Sequence, residues 1–472
     1  MSGSSITLIS MPYPEDLSAV FAALAEKPWS QFLDSSTRII TQGRYSILVT
    51  APRRRLWQQH GQLWVVDGDS APRLSASTLQ ILLQESMTEL FLDQTPCGED
   101  LPFTGGALGY LAYDFALPRQ GLGLPRVSDW PEAAFGIYDT AFIVDHQQQR
   151  AWLSAPEARM ADAQTEWEEL LSSAQNVARA LDSNPMFQVT GPVRAHWTPE
   201  QYRTAFYRVQ EYIRAGDCYQ VNLAQPFSAR YQGSPWALYA HLRQVNPAAF
   251  SAFLNFPWGA ALSFSPERLL QLRQGRMQVR PIKGTRPRSE NPVEDRQLAE
   301  ALIHSPKDRA ENVMIVDLLR NDLGKVAETG SVSVRQLCGL ESNVQVHHLV
   351  SVVEARLKRE VGTDLEAALA ALEACFPGGS ITGAPKRRAV EIIAELEAEA
   401  RGLYCGSIGY IDRCGGLDMN IAIRSLSATQ GILQFWAGGG IVADSDPAAE
   451  YQETLDKVAI FHRELAVLAG LA

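Results

Sequence analysis

Between residues 1 and 180, apolar positions come in short runs: "RYSILVT" (Arg44–Thr50), "QLWVVD" (Gln62–Asp67) and "DTAFIVD" (Asp139–Asp145). Their alternation predicts strands. Ala158–Leu181 is polar and alanine-rich with periodic leucines, the pattern of a helix. Ser183–Pro192 mixes Asn, Pro and Gly. That stretch is the candidate boundary between an N-terminal region, 1–180, and a second region, 193–472. The second region opens on a helix signature. Thr198 can cap it, Pro199 fits the first helical position, and Tyr202, Phe206, Val209 and Ile213 line one face until Gly216 stops it. "CYQVNLAQPF" follows as a strand, and strands and helices then alternate irregularly. No internal repeat is present. The mixture predicts an α+β fold, without the regular βαβ rhythm of a doubly wound sheet.

Two further helices carry paired acids. "SPKDRAENVMIVDLLRND" has Ser305 as N-cap, Pro306 next and Asp308 closing a capping-box-like pattern. Val313, Met314, Ile315, Val316, Leu318 and Leu319 surround the cylinder, so the pattern predicts a buried helix. "DPAAEYQETLDKVAIF" is capped by Asp446 and started by Pro447. Asp308 and Glu311 share a face on the first, Glu450 and Glu453 on the second. On the buried first helix a carboxylate needs a cation or donors; the second pair alone reads as a solvated face, with Glu453 supported by Lys457 one turn on. Two such helices in one chain point to a hard cation. Four carboxylates without His or Cys suit Mg²⁺.

Composition narrows the class. The chain has 472 residues, 46% hydrophobic and 20% charged, which fits a globular protein of up to about three domain-sized units. A formal net charge of -11 argues against nucleic-acid binding. No apolar run approaches the ~20 residues that span a bilayer, and the N-terminus carries no basic or hydrophobic leader pattern. Six cysteines without metal-ligand spacing read as buried thiols in a reducing compartment, so the cytoplasm is the expected location.

Against that acidity, "MQVRPIKGTRPR" (Met277–Arg288) is purely basic, and Lys283 sits between apolar Ile282 and Gly284. Arg424, inside the apolar strand-like "NIAIRSL", requires an anionic partner, from the protein or a substrate. "FPGGSITGAPKRR" (Phe376–Arg388) has P-loop glycine spacing, but Ala384-Pro385 replaces the closing Gly-Lys. It is either a plain glycine turn or a set of backbone N–H groups facing an anion. Gly438, Gly439 and Gly440 directly after a strand allow a ligand carboxylate close to bare backbone. A small polyanion bridging to a metal is the substrate class these features suggest.

The blocks "PIKGTRPR", "AENVMIVDLLRNDLG", "VHHLVS", "FPGGSITGAPK", "CGSIGYID", "NIAIRSL" and "AGGGIVADSDPAAEYQETLDK" resemble the signatures of the chorismate-utilising enzymes. "SPERLL", "GDCYQVNLAQ" and "TGGALGYLAYD" extend the match across most of the chain. The resemblance implies a single large α+β fold, a β-sandwich core flanked by helices. Within the family, Lys283 resembles the branch that aminates chorismate at C4 to 4-amino-4-deoxychorismate, on the p-aminobenzoate and folate route. In that branch the lysine attacks C2 and expels the 4-hydroxyl; ammonia then adds at C4. Anthranilate, isochorismate and salicylate synthases typically carry alanine there. Isochorismate and salicylate enzymes also carry a water-activating lysine where Gln220 stands. A nucleophilic lysine needs a lowered proton affinity, from desolvation or crowding by cations; Arg280 and Arg286 would crowd it with side chains turned inward.

By motif position, the resemblance makes Glu267 the general acid, and Glu311 and Glu453 the direct Mg²⁺ ligands with Asp308 and Glu450 supporting through water. Tyr404 and Arg424 grip the enolpyruvyl carboxylate, with backbone N–H groups near Gly438 and Gly440. Thr285, His348 and Lys457 fall on active-site positions. Members of the family also hold tryptophan. The matching segments "FLDSS", "GRYS" and "NPAAFSAFL" make Ser35, Tyr45, Ser46 and Pro247 its candidate contacts, though the first and third depart from the feedback-regulated pattern. No cysteine sits in a Gly-x-Cys-x-Gly turn, so ammonia is expected from a separate glutamine amidotransferase subunit. The alternatives are an anthranilate synthase component I and, from another class, a non-catalytic nucleotide- or metabolite-binding regulator.

Overall fold

A computed structural model describes residues 5–35, 43–91, 101–123, 130–181, 187–343, 346–358 and 363–470. Its framework is two large antiparallel sheets, of 13 and 12 strands among the described residues. One sheet runs from Ile6–Met11 through Arg150–Pro156, Ala141–Asp145, Tyr45–Val49 and Gln31–Asp34 to Phe250–Phe256. It continues through Gly259–Ser265, Ser425–Thr429 and Ile432–Ile441 to Gln220–Gly233. The other starts at Ile282–Pro287 and passes through Val346–Arg356, Arg276–Arg280, Arg268–Arg273, Leu417–Asn420 and Ser407–Asp412. It ends through Gly106–Leu111, Ala133–Tyr138 and Arg54–Gln59 at the Gln62–Asp67 hairpin and Arg73–Ser75. Both sheets therefore take strands from either side of residues 183–192. Of that stretch, 183–186 lie outside the described residues, and Phe187–Val189 pair with Tyr231–Gly233.

Period-two alternation explains how one strand serves two cores. Ile47, Val49, Ala252 and Leu254 meet Leu108, Tyr110, Tyr138 and Ile408 of the other sheet. Leu48 and Phe253, on the opposite pleat, pack with Trp236 and Phe461 from the flanking helices. The outer face of the second sheet is covered by Leu79–Leu90, Asp364–Cys375 and Pro306–Gly324. Helix, sheet, sheet and helix layers give the α+β sandwich the motifs imply.

The caps stand where the sequence puts them. Thr198 and Gln201 form a reciprocal box, Ser305 accepts from the Asp308 amide, and Asp446 accepts from two amides. Three expectations change. Asp308 does not close a capping box, because its carboxylate accepts from Arg286 at 3.1 Å instead. The Pro306–Gly324 helix is not buried all round: Ile315, Val316 and Leu319 face the core while Val313 is 41% exposed. Its apolar run is longer than the face it packs on the sheet. Cys414 is disulfide-bonded rather than a free thiol, whereas Cys218, Cys338, Cys375 and Cys405 are free and buried.

Candidate active site

The reactive residues collect where the chain crosses between sheets. Gly259–Ser265 belongs to one sheet and Arg268–Arg273 to the other, so Glu267 sits on the crossover. "NIAIRSL" is a second crossover rather than a continuous strand. Leu417–Asn420 ends in one sheet, Ser425–Thr429 begins in the other, and Arg424 turns the corner at φ 50°. The two are tied together: the Ile421 amide donates to Glu267 O at 3.0 Å and the Phe264 amide to Arg424 O at 3.0 Å. Irregular backbone held by regular sheets on both sides is how a fold fixes a strained residue beside chemistry.

Lys283 is aimed by a bulge. Ile282 pairs with Val350, but Thr285 pairs with His348, leaving one extra residue on the lysine's strand. Gly284 takes φ +82°, and a Cβ there would lie 2.9 Å from Asp308 Cβ and 2.8 Å from Leu302 Cδ1, so glycine is required on both counts. Lys283 Nζ donates to the carbonyl of Ser380 at 3.1 Å, in the glycine segment. That segment thus presents a carbonyl to a cation here.

Burial lowers the proton affinity of Lys283, against the opposing pull of Glu311 and Glu267; the ammonium of Lys457 lowers it further. Arg280 and Arg286 do not crowd it as expected, because each is neutralised, by Glu341 and Asp308 respectively. Glu267 is 5% exposed, and burial raises its proton affinity despite Lys283. Burial alone depresses the Arg424 guanidinium; no carboxylate among the described residues offsets it. His348 is held neutral at about 4, by burial first and then by Arg424 and His347.

Beside these groups, the second acid-bearing helix lies on the glycine strand, and Lys307 of the first reaches its Glu450. A Cβ on Gly439 would lie 2.9 Å from Glu450 Oε2 and 3.6 Å from Glu453 Oε1, so that glycine makes room for the carboxylates. Lys307 Nζ lies 3.6 Å from Glu450 and 4.0 Å from Glu311. Lys457 pairs with Glu453 at 2.6 Å and donates to Gly438 O at 2.8 Å. Burial raises Glu311, and Asp308 and Glu450 add to that by repulsion. Among the described residues no three His, Cys, Asp or Glu side chains form a ready-made metal cage. Mg²⁺ retains most of its waters and takes one or two carboxylates, so it requires none. The all-oxygen donors and their mutual repulsion fit such an ion.

Thr285 lies exposed opposite buried His348, and Tyr404 is buried, its ring stacked on Trp436 at 6.1 Å. Gln220 walls the site against Gly440, where a Cβ would lie 2.5 Å from its Nε2; neither amide atom has a hydrogen-bond partner among the described residues. Ser35 and Tyr45 lie apart from these groups, lining a cavity of about 800 Å³ with Phe250, Asp418 and Asn420. Ser46 Oγ accepts from the Ser35 amide at 3.0 Å; Pro247 is not in that wall, which Ala249 and Phe250 supply. Ser36 of "FLDSS" lies outside the described residues. The sequence reading missed the Ser380 carbonyl, Lys307, and a buried Glu397–Arg401 pair whose only signal was acid–base spacing of one helical turn.

A family model described as chorismate binding enzyme matches residues 40–463. The chain is 46% identical over 463 residues to aminodeoxychorismate synthase component 1 of Klebsiella aerogenes, covering 96% of this chain and 98% of the relative. It is 45% identical over 443 residues to the protein of the same name in Escherichia coli strain K12, covering 93% of each. Among solved structures, anthranilate synthase component I from Streptococcus pneumoniae TIGR4 superposes with a TM-score of 0.73 at 31% identity, covering 88% of this chain and 92% of that one. Among the described residues, no helix is long and apolar enough to cross a membrane.

Proposed function

The chain belongs to the chorismate-binding enzymes, and from that membership we propose that it aminates chorismate at C4 through a covalent bond to Lys283. The observation that carries this reading is the bulge that sets a desolvated lysine near buried Glu267. The neutral Lys283 amine forms a bond to C2, both conjugated ring double bonds shift toward C4, and the C4–O bond breaks. Glu267, holding its proton at a pH where an exposed carboxyl would not, gives it to the departing hydroxyl, which leaves as water. The carboxylate then recovers a proton from the lysine-derived nitrogen. Ammonia bonds to C4, both double bonds return, Glu267 protonates the lysine nitrogen as the C2–N bond breaks, and the new C4 ammonium gives its extra proton back to Glu267. The balance is chorismate plus ammonia giving 4-amino-4-deoxychorismate plus water.

Arg424, with no offsetting carboxylate among the described residues, would take the enolpyruvyl carboxylate beside Tyr404, with neutral His348 adding no competing charge. Glu311 and Glu453 would hold Mg²⁺, with Glu450 and the Arg286-bound Asp308 behind them. Bound there, the ion would hold the ring carboxylate and make the ring more electrophilic. Ammonia comes from a separate glutaminase subunit. The free thiols are buried, and burial pushes Cys375 and Cys405 up to about 12, which suits packing rather than nucleophilic attack. The large cavity beside Ser35 and Tyr45 takes tryptophan as a structural ligand. Incubation with chorismate, Mg²⁺ and ammonium, with product identification and intact-protein mass, is the test. The reading requires the 4-amino product and, without ammonia, a ring adduct on Lys283. Anthranilate with pyruvate release would replace it.

A further inference from the structure

Arg401 is 2% exposed and its partner Glu397 4%, so the pair lies wholly inside the protein. The guanidinium has the donor fork to tie several acceptors at once, and here it does. Nε and Nη2 donate to the two Glu397 oxygens at 2.7 Å each, Nη2 also donates to Asn222 O at 2.6 Å, and Nη1 donates to Ile381 O at 3.1 Å. Its plane lies over Tyr113 and Tyr404, 4.7 and 5.7 Å from the ring centroids. Glu397 in turn accepts from the Ala224 amide at 2.9 Å.

Each tie ends one step from a reactive group. Ile381 follows Ser380, whose carbonyl holds Lys283. Asn222 and Ala224 pair with Gly440 and Gly438. The turn that begins at Arg401 carries Tyr404 and docks on the Arg424 crossover. There the Cys405 amide donates to Ala422 O at 3.0 Å, and the Ala422 amide to Gly406 O at 2.9 Å. Asp114, from the N-terminal region, fixes the turn's other end by accepting from the Gly402 amide at 2.7 Å.

We propose that Arg401 is a positioning residue that sets the glycine turn, the glycine strand and Tyr404 in one register, so that Lys283 and the ligand grips meet the same ring. It touches no substrate and acts through Tyr404 and the Ser380 carbonyl. The proposal rests on the reading of Lys283 and Tyr404 given above.

The test uses Arg401→Lys, which keeps the charge beside Glu397 but replaces the planar fork with one ammonium. The readouts are the rate of Lys283 adduct formation with chorismate and Mg²⁺, and chorismate affinity by fluorescence quenching. Displacing reacting groups by about 1 Å lowers rates about 100-fold; a loss of about 10- to 100-fold in adduct formation is expected. Arg243→Lys, which loosens the Arg243–Asp34 pair, serves as the stability control, with unfolding temperature measured for both. If Arg401 acts through the tyrosine, its effect on affinity shrinks in the Tyr404→Phe background, a coupling a merely structural role does not produce. An adduct rate in Arg401→Lys equal to wild type, or no slower than in Arg243→Lys, overturns the proposal. So do strictly additive effects with Tyr404→Phe. A wild-type protein that forms no adduct fails the parent reading instead, and the affinity cycle alone then decides the role of Arg401.

Discussion

Two buried charge clusters lie side by side in this molecule and are built on opposite terms. Around Arg401, four guanidinium hydrogen bonds reach acceptors at 2.6–3.1 Å, and Glu397 holds the arginine's proton well above its usual range against burial. Around Lys283, burial lowers the proton affinity of the lysine, raises that of Glu267 and Glu311, and depresses an Arg424 that no carboxylate among the described residues offsets. The first cluster is complete as folded. The second is only partly paired and leaves Arg424 with no offsetting carboxylate among the described residues, a need that a ring with two carboxylates would match.

The sharpest way to break this contrast is to delete one cation from each cluster. Lys283→Ala should lower amination on the order of 10³-fold or more and abolish the adduct. It should leave thermal stability equal or higher, because a desolvated ammonium is removed. Arg401→Ala should do the reverse on stability, lowering it by about 3–5 kcal/mol by stranding Glu397. Denaturant unfolding of both variants checks the pair. A Lys283→Ala protein as unstable as Arg401→Ala would mean that both clusters are structural.

A smaller effect, about 10²- to 10⁴-fold on rate, is expected from Glu267→Gln, and pH separates it from a packing loss. Glu267 binds its proton more tightly folded than unfolded. Its stabilising contribution is therefore full below the ordinary carboxyl range, near 4.3, and is lost as pH rises through its elevated folded value. Glu267→Gln should remove that decline from a plot of unfolding temperature against pH. Adduct formation in the wild type should fall on the acid side as Lys283 gains a proton and on the alkaline side as Glu267 loses one. Identical pH plots for wild type and variant would remove Glu267 from the role of acid.

How much of this was legible beforehand follows from what each residue needed. Thr198, Ser305 and Asp446 were readable because a cap is decided by its own few neighbours. The Tyr45–Val49 and Gln62–Asp67 strands were readable from alternation. Lys283 and Glu267 stood out as motif members, but the bulge at Gly284 and the crossovers at Glu267 and Arg424 depend on which strands pair, which is non-local. The same blindness left Arg280 and Arg286 without their acidic partners, since Glu341 and Asp308 come from other segments. It also made the Pro306–Gly324 helix look fully buried. Arg401 went unnoticed because half of its hydrogen bonds go to backbone carbonyls, which no residue type announces.

The acidic helices offer an intermediate test, since their excess charge belongs to the unsatisfied cluster. Amination should vanish with EDTA and return with Mg²⁺. Glu311→Gln and Glu453→Gln should weaken Mg²⁺ binding more than Asp308→Asn, whose loss should be about 10- to 100-fold or less, because Asp308 is already held by Arg286. Lys307→Gln should tighten Mg²⁺ binding a few-fold, since its ammonium competes for Glu450 and Glu311. Calorimetric titration of Mg²⁺ reads all four variants. Equal, mild effects at every carboxylate would return these helices to solvated faces.

The smallest expected effect comes from the cavity beside Ser35 and Tyr45. Its charges are of the satisfied kind: Arg268 pairs with Asp418 at 2.8 Å and Asp34 with Arg243 at 2.7 Å. A ligand there finds shape, aromatic contact with Phe250 and polar rims, but no stored charge to release. Tryptophan should therefore stabilise by mass action, by about 2.7 kcal/mol at a concentration 100 times its dissociation constant. It should leave the amination rate unchanged within about twofold, because a ligand with no differential affinity for two site conformations shifts neither. Unfolding temperature and amination rate across one tryptophan titration separate the outcomes. A shift in temperature alone marks a filled structural cavity. A parallel fall in rate would show that this cavity, whose charges are paired, communicates with the cluster around Lys283, and the two could no longer be treated as separate.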